Sequence, residues 1–185
     1  MKLVEALAFA KEALIRAGVP SPDADAYWLL AHTLGITRAE LLTQITFDFS
    51  LSQEQLSQFK EVLDQRSNRV PLQHITGLAG FRTLELEVGP GVFIPRFETE
   101  QAAQIAIDYL NSLSGKPRAV DLGTGSGAIA ISLSKETNAE VFAIEISQQA
   151  AEYAQKNIQT NQAEVELIIG SIEQELPKLE SLDLV

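Results

Sequence analysis

No cysteine occurs anywhere in the 185 residues, so the chain has no disulfide framework, no thiolate metal ligand and no thiol nucleophile. Basic residues are also scarce: 14 Lys and Arg stand against 25 Asp and Glu, a net charge of −11. That balance argues against a nonspecific grip on nucleic acid, which needs clustered cations to neutralise phosphates. No apolar run reaches the ~18–20 residues that a membrane span requires, so no transmembrane helix is expected. The opening MKLVEALAFAKEALIRAG could suggest a signal peptide. Glu5, Lys11, Glu12 and Arg16 interrupt it at helical spacing, and no small-residue cleavage site follows. With 45% apolar and 21% charged residues the composition is globular. A soluble, cytoplasmic protein is expected.

The charge is unevenly spread, −2 over residues 1–70 and −9 over 71–185, which predicts two regions of different character. Residues 1–69 read as helix throughout. Val4, Leu7, Ala8, Leu14 and Ile15 recur at three- and four-residue steps until Gly18 and Pro20. Ser21-Pro22-Asp23 offers a capping hydroxyl, a proline at the first helical position and an early acid. Thr37-Arg38-Ala39-Glu40 fits a capping box. Ser52 is expected to cap a fourth helix that buries Leu56, Phe59, Val62 and Leu63. A small helical bundle follows. From Gly80 to Ile94, Leu84, Leu86 and Val88 alternate with polar residues, and Gly89-Pro90-Gly91 then precedes Val92-Phe93-Ile94. That pattern predicts a β-hairpin turning at the glycines, which connects the bundle to the next region.

Beyond Arg96 helices and strands alternate: helix 98–112, strand 118–122, helix 126–136, strand 140–145, helix 147–160, strand 164–169, and a strand beginning at Leu182. Such alternation predicts a parallel, doubly wound α/β sheet. The division expected is thus 1–69 bundle, 70–95 hairpin connector and 96–185 the first part of an α/β domain. Because the chain stops inside an element, it is expected to be a piece of a longer protein.

Chemistry concentrates in Val120-Asp121-Leu122-Gly123-Thr124-Gly125-Ser126-Gly127-Ala128-Ile129-Ala130, where a strand runs into alternating glycines and then a helix. Glycines there permit positive φ and let a ligand approach the backbone; the alternative is a tight turn without a ligand. The spacing G-x-G-x-G is not the dinucleotide G-x-G-x-x-G, and no Gly-Lys-Ser/Thr follows to make a phosphate loop. Glu145 ends the next strand, 22 residues beyond Gly123, and a carboxylate there can accept bonds from both ribose hydroxyls; read alone it is a solvated strand end. A glycine loop and a ribose acid without pyrophosphate spacing suit a nucleoside that carries no phosphate, and S-adenosylmethionine is such a ligand. Asp121 would lie close to its amino-acid end or sulfonium. A second segment, Phe93-Ile94-Pro95-Arg96-Phe97-Glu98-Thr99-Glu100, reads by itself as a proline turn entering an acid-rich helical start.

Together these segments resemble the protein-(glutamine-N5) methyltransferases that modify peptide chain release factors. The family pattern ITG…F…L-I-P-R-P-E-T-E is approached by Ile75-Thr76-Gly77, Phe81 and Ile94–Glu100, and D-L-G-T-G-S/T-G-A-I-A is matched from Asp121 to Ala130. The resemblance implies a helical bundle, a hairpin and a Rossmann-like class I methyltransferase domain that here is incomplete at its C-terminus. It implies that Gly123, Thr124, Gly125, Ser126 and Gly127 wrap S-adenosylmethionine. Glu145 would take the ribose where the family usually has aspartate. Phe93 and Thr99 would cover the cofactor, and Arg96 with Glu98 would shape that wall. Three departures stand out: Phe97 replaces a second proline, Gly170-Ser171-Ile172 replaces Gly-Asp-aromatic, and no Asn-Pro-Pro-Tyr occurs. Asp121 and Ile172 remain among the cofactor-binding residues expected. In the family the missing tetrapeptide accepts both N–H hydrogens of the substrate glutamine and aims its nitrogen at the sulfonium methyl. No catalytic residue is therefore assigned within 1–185, and the chain alone is expected to be inactive.

The implied partner is a release factor, with no direct nucleic-acid or membrane contact. Two other readings stay open: an amino-methyltransferase acting on adenine in DNA or RNA, and a noncatalytic cofactor-binding module. His32 and His74 are too few for a metal site. Glu85, Glu87, Glu164 and Glu166 read as solvated strand faces. Tyr27 and Trp28 read as bundle core or rim, or as a docking surface.

Overall fold

The computed structural model describes all residues, 1–185, and the chain divides into two compact units, Met1–Thr76 and Gly77–Val185. The first consists of α1 (Leu3–Arg16), α2 (Pro22–Leu34), α3 (Arg38–Thr46), α4 (Gln53–Ser67) and the short α5 (Leu72–Thr76). Capping boxes start α3 and α4, where the Thr37 and Ser52 hydroxyls accept the Glu40 and Gln55 N–H groups. Ser21 precedes α2 but makes no such bond; Pro22 and the acids of the first turn start that helix.

The buried face of α1 differs from the stripe expected from its larger residues. Val4 and Ile15 are more than half exposed, whereas Leu3, Ala6, Ala10 and Leu14 are buried. Alanines on that face let α1 pack closely on α2 and α4, so side-chain size, and not hydrophobicity alone, selects the face. The core adds Leu29, Leu30, Leu41, Phe59 and Leu63. Asp25 and Arg66 pair at 2.7 Å with little solvent contact. Arg66 also donates to the Val70 carbonyl at 3.0 Å, which pins the end of α4. Trp28 is 45% exposed beneath the Arg38 guanidinium, 5.3 Å from the ring centroid, so it belongs to the surface and not the core.

The second unit opens with a hairpin of β1 (Leu78–Phe81) and β2 (Leu84–Glu87), paired antiparallel with Phe81 opposite Leu84. The turn is therefore Arg82-Thr83 and not Gly89-Pro90-Gly91, and Val92–Ile94 is not a strand. The alternation read from Leu84 to Val88 was that of one strand; its partner lies upstream, in the glycine-containing stretch before it. Arg82 adopts φ 53° at the tip, and its side chain is the reason the tip stays there. The guanidinium bonds both Glu136 oxygens at 2.7 Å and Gln104 at 2.7 Å. Its backbone N–H donates to Glu100 at 3.0 Å.

Next come α6 (Phe97–Ser112), β3 (Arg118–Leu122), α7 (Ala128–Glu136), β4 (Glu140–Glu145), α8 (Gln148–Thr160), β5 (Val165–Ile169) and α9 (Ile172–Glu175). The parallel sheet has the order β3-β4-β5. On the other side of β3, Leu184 bridges Ala119 in parallel, with the Val120 N–H donating to the Leu184 carbonyl at 3.0 Å. The chain has thus moved outward from β3 through β4 to β5 and then returned across it. That reversal puts a topological switch point at β3, and ligand crevices of open α/β sheets form outside the carboxyl ends of strands at such points. No helix is long and apolar enough to cross a membrane.

The Arg82 pair carries a pH signature. Glu136 titrates below its ordinary value of 4.5, first because Arg82 hydrogen-bonds it; burial opposes this, and the opposite charge of Arg82 adds a smaller downward contribution. Its folded-state value is depressed, so the stabilisation is complete above the unfolded value and is lost as pH falls through the folded one. Glu136→Gln is expected to cost about 1–3 kcal/mol at pH 7. In urea unfolding the gap between variant and parent should narrow steadily as pH falls below about 4.5. A gap independent of pH would remove the pair from the stability of this unit.

Candidate functional site

The switch point is occupied by a cavity of about 370 Å³. One side is the end of β3 and the loop after it, contributing Asp121, Leu122, Gly123, Thr124, Gly125 and Ser126, with Ala128 and Ile129 from α7. The facing side is Phe93, Ile94, Pro95, Arg96 and Thr99, with Phe81 behind. The two segments singled out in the sequence therefore form opposite walls of one space, although ~20 residues of helix and a strand separate them.

The loop is held from the next strand. Gly123 and Thr124 both donate their N–H groups to the Ile144 carbonyl, at 2.8 and 3.1 Å. Gly125 donates to Glu145 Oε2 at 2.9 Å, and the other oxygen of that carboxylate accepts the Ser147 N–H at 2.9 Å. Glu145 is buried, so it is not a solvated strand end. It lies against the loop without lining the cavity. The helix after the loop begins at Gly127, whose φ of 84° has no side chain to strain and whose missing Cβ would sit 3.1 Å from Ile131 Cδ1. A glycine N-cap supplies no capping oxygen. Asp121 takes over that task from the end of β3, its Oδ2 accepting the Ala130 N–H at 3.3 Å and the Thr124 hydroxyl at 2.7 Å. Burial pushes the Asp121 carboxyl above its ordinary range; the two hydrogen bonds oppose this and the Glu145 charge adds to it. A carboxylate so placed gains most from a cationic ligand group, which would offset the cost of its burial.

Of the site residues expected from sequence, Phe93, Thr99, Asp121, Gly123, Thr124, Gly125 and Ser126 line the cavity. Gly127 starts α7 beneath it. Ile172, at the start of α9, is 39% exposed and does not line it. Phe93 is 90% exposed at the mouth. One residue escaped sequence reading. Asn157 of α8 is buried and donates to the Ser126 carbonyl at 2.9 Å. A polar residue at a position that the helix period assigns to the buried face was the available signal.

A glycine loop at the switch point of a parallel sheet, followed by a strand-terminal acid, is the arrangement that the resemblance to class I methyltransferases leads one to expect. Family comparison agrees, since residues 113–185 match the model described as a methyltransferase domain and residues 5–77 match the PrmC N-terminal domain. The release factor glutamine methyltransferase of Streptomyces coelicolor is 43% identical over 165 residues, covering 88% of this chain and 57% of that protein. Those of Bifidobacterium longum and Mycolicibacterium smegmatis are each 40% identical, over 85% and 100% of this chain and 55% and 64% of their own lengths. The chain is thus similar over most of its own length to release factor glutamine methyltransferases, and it spans a little over half the length of the curated relatives it matches. A partial likeness to a solved structure, precorrin-6y C5,15-methyltransferase from Geobacter metallireducens, has a TM-score of 0.45 at 18% identity over 57% of each chain.

The start of α7 gives a direct check on the loop. Gly127→Ala places a side chain in the left-handed region, at a cost of roughly 1–2 kcal/mol, and crowds Ile131 besides. Urea unfolding should show that loss, while Ala128→Gly, in the same turn but at ordinary φ, should cost no more than about 1 kcal/mol.

Proposed function

We propose that the cavity binds S-adenosylmethionine and that the whole protein transfers its methyl group to the side-chain amide nitrogen of a glutamine in a peptide chain release factor, in the cytoplasm. The observation that carries this reading is the pair of facing walls, Phe93–Thr99 and Asp121–Ser126, around a single cavity at the switch point. The donor set suits the cofactor. Gly123 lines the cavity with nothing within 4 Å of where a Cβ would stand, which leaves room for an extended amino-acid chain against the backbone. Asp121 offers a partly desolvated anion to an ammonium or sulfonium. Glu145, gripping Gly125, keeps acceptor capacity for ribose hydroxyls, because each carboxylate oxygen holds more than one lone pair. When bound, the cofactor supplies an electrophilic methyl group.

The protein's own task is positional. An amide nitrogen is a weak nucleophile because its lone pair is delocalised into the carbonyl, so orientation and exclusion of water must contribute much of the acceleration. Effective molarities in well-oriented systems correspond to ~7–11 kcal/mol. The family's Asn-Pro-Pro-Tyr, which does this work in the relatives' pattern, does not occur in residues 1–185. The residues assigned here accordingly bind and hold the cofactor, and none is given the transfer step.

The test is to incubate the full-length protein with methyl-labelled S-adenosylmethionine and a purified release factor, then locate the label by peptide mass spectrometry. A single methyl on a glutamine side chain is expected. Label on adenine of added DNA or RNA, with none on the protein, would overturn the assignment. Glu145→Ala should weaken cofactor binding in calorimetry by at least about tenfold, the equivalent of one lost charge-assisted hydrogen bond. An unchanged Kd would remove Glu145 from the site.

A further inference from the structure

Four residues on one face of α8 and its C-terminal cap, spaced four apart, track the hairpin and the segment that follows it. The Gln149 amide donates to the Pro90 carbonyl at 2.8 Å. Tyr153 fills the space at Gly89, where a Cβ would fall 2.2 Å from its hydroxyl oxygen. Asn157 brackets Glu87, accepting its N–H at 2.6 Å and donating to its carbonyl at 3.0 Å. Asn161 donates to the Glu85 carbonyl at 3.3 Å. The match is geometric. Four residues of helix advance ~6 Å and two residues of strand ~6.6–6.8 Å, so a helix running against a strand can meet every second residue with every fourth.

The hairpin has a free edge to be met. β2 pairs only with β1, and the bond from the Val88 N–H to the Gly77 carbonyl fixes the antiparallel phase. In that phase the backbone groups of Glu85 and Glu87 point away from β1. Side-chain amides of α8 take the place of a third strand. Asn157 does one thing the others do not: its Nδ2 also donates to the Ser126 carbonyl at 2.9 Å. One buried carboxamide thus bonds the strand that leads to the Phe93–Thr99 wall and the glycine loop that forms the other.

We propose that Asn157 is a positioning residue for the cofactor cavity, fixing the separation of its two walls by holding Glu87 and Ser126 with one side chain. The proposal rests on the cofactor reading above. Aspartate at this position is nearly the same shape but turns an acceptor toward two carbonyl oxygens, and alanine removes all three bonds. Asn161 meets only the hairpin and its own helix, so it separates docking of the hairpin from control of the cavity.

The test uses the full-length protein and two readouts: the Kd for S-adenosylhomocysteine by calorimetry, and hydrogen exchange of residues 93–99 and 123–127 without ligand. Asn157→Ala and Asn157→Asp are expected to weaken binding at least about tenfold and to speed exchange in both segments. Asn161→Ala should lower the melting temperature while changing Kd less than about twofold, since its bond is exposed and remote from the loop. Should Asn157→Ala not fold, Asn157→Ser, which keeps a donor, is read the same way. Asn157 variants with parental Kd and parental exchange overturn the proposal. Equal losses of affinity in Asn161→Ala and Asn157→Ala do so too, because the effect would then be one of general stability. If the parent protein binds no S-adenosylhomocysteine, the cofactor reading fails by itself, and exchange alone decides whether Asn157 holds the walls together.

Discussion

The start of the glycine loop is held by one backbone carbonyl of the next strand. Ile144 accepts the N–H groups of both Gly123 and Thr124, and it can do so only because the β3–β4 register sets Leu122 opposite Ile144. Shift that pairing by one residue and the carbonyl would point elsewhere, Glu145 would leave Gly125, and Asp121 would lose the start of α7. Cavity floor, helix start and acid position all follow from this register. It is fixed in turn by side chains buried on both faces of the central strand, Val141 to Ile144.

Two carboxylates near the loop have different tasks, set by their surroundings. Glu145 spends one oxygen on Gly125 and the other on Ser147, so it acts as a structural clamp while remaining an acceptor. Asp121 caps α7 from a distance and is pushed toward its neutral form by burial. The glycine at the helix start is compatible with an ordered helix because that aspartate supplies the missing capping oxygen. A loop with little side-chain material is thereby kept rigid through bonds to its backbone, which leaves its outer face free for a ligand.

The opposite wall is built differently. The hairpin tip is tied by the Arg82 guanidinium to α6 and α7, and its free edge is met by amides from α8. Between these fixings the chain needs Gly89, because the Tyr153 ring occupies the space of a side chain. The exposed Phe93 then projects at the cavity mouth. Sequence spacing explained none of this, since Arg82 and Asn157 lie far along the chain from the groups they hold.

Periodicity, caps and glycines determined most of the elements. Strands Arg118–Leu122 and Glu140–Glu145 coincide with the ranges read from sequence, because a buried parallel strand bounded by turn residues is a local pattern. Asp121, the glycines and the Phe93–Thr99 segment were legible for the same reason, as compact motifs resembling a known family. Tertiary structure alone decided the hairpin partner, since a strand's alternation does not say which neighbour it pairs with. Which face of α1 is buried, the clamp formed by Glu145, and the role of Asn157 were likewise invisible. Each depends on groups brought together from distant parts of the chain, and a polar side chain acquires its function only when folding supplies the backbone it bonds.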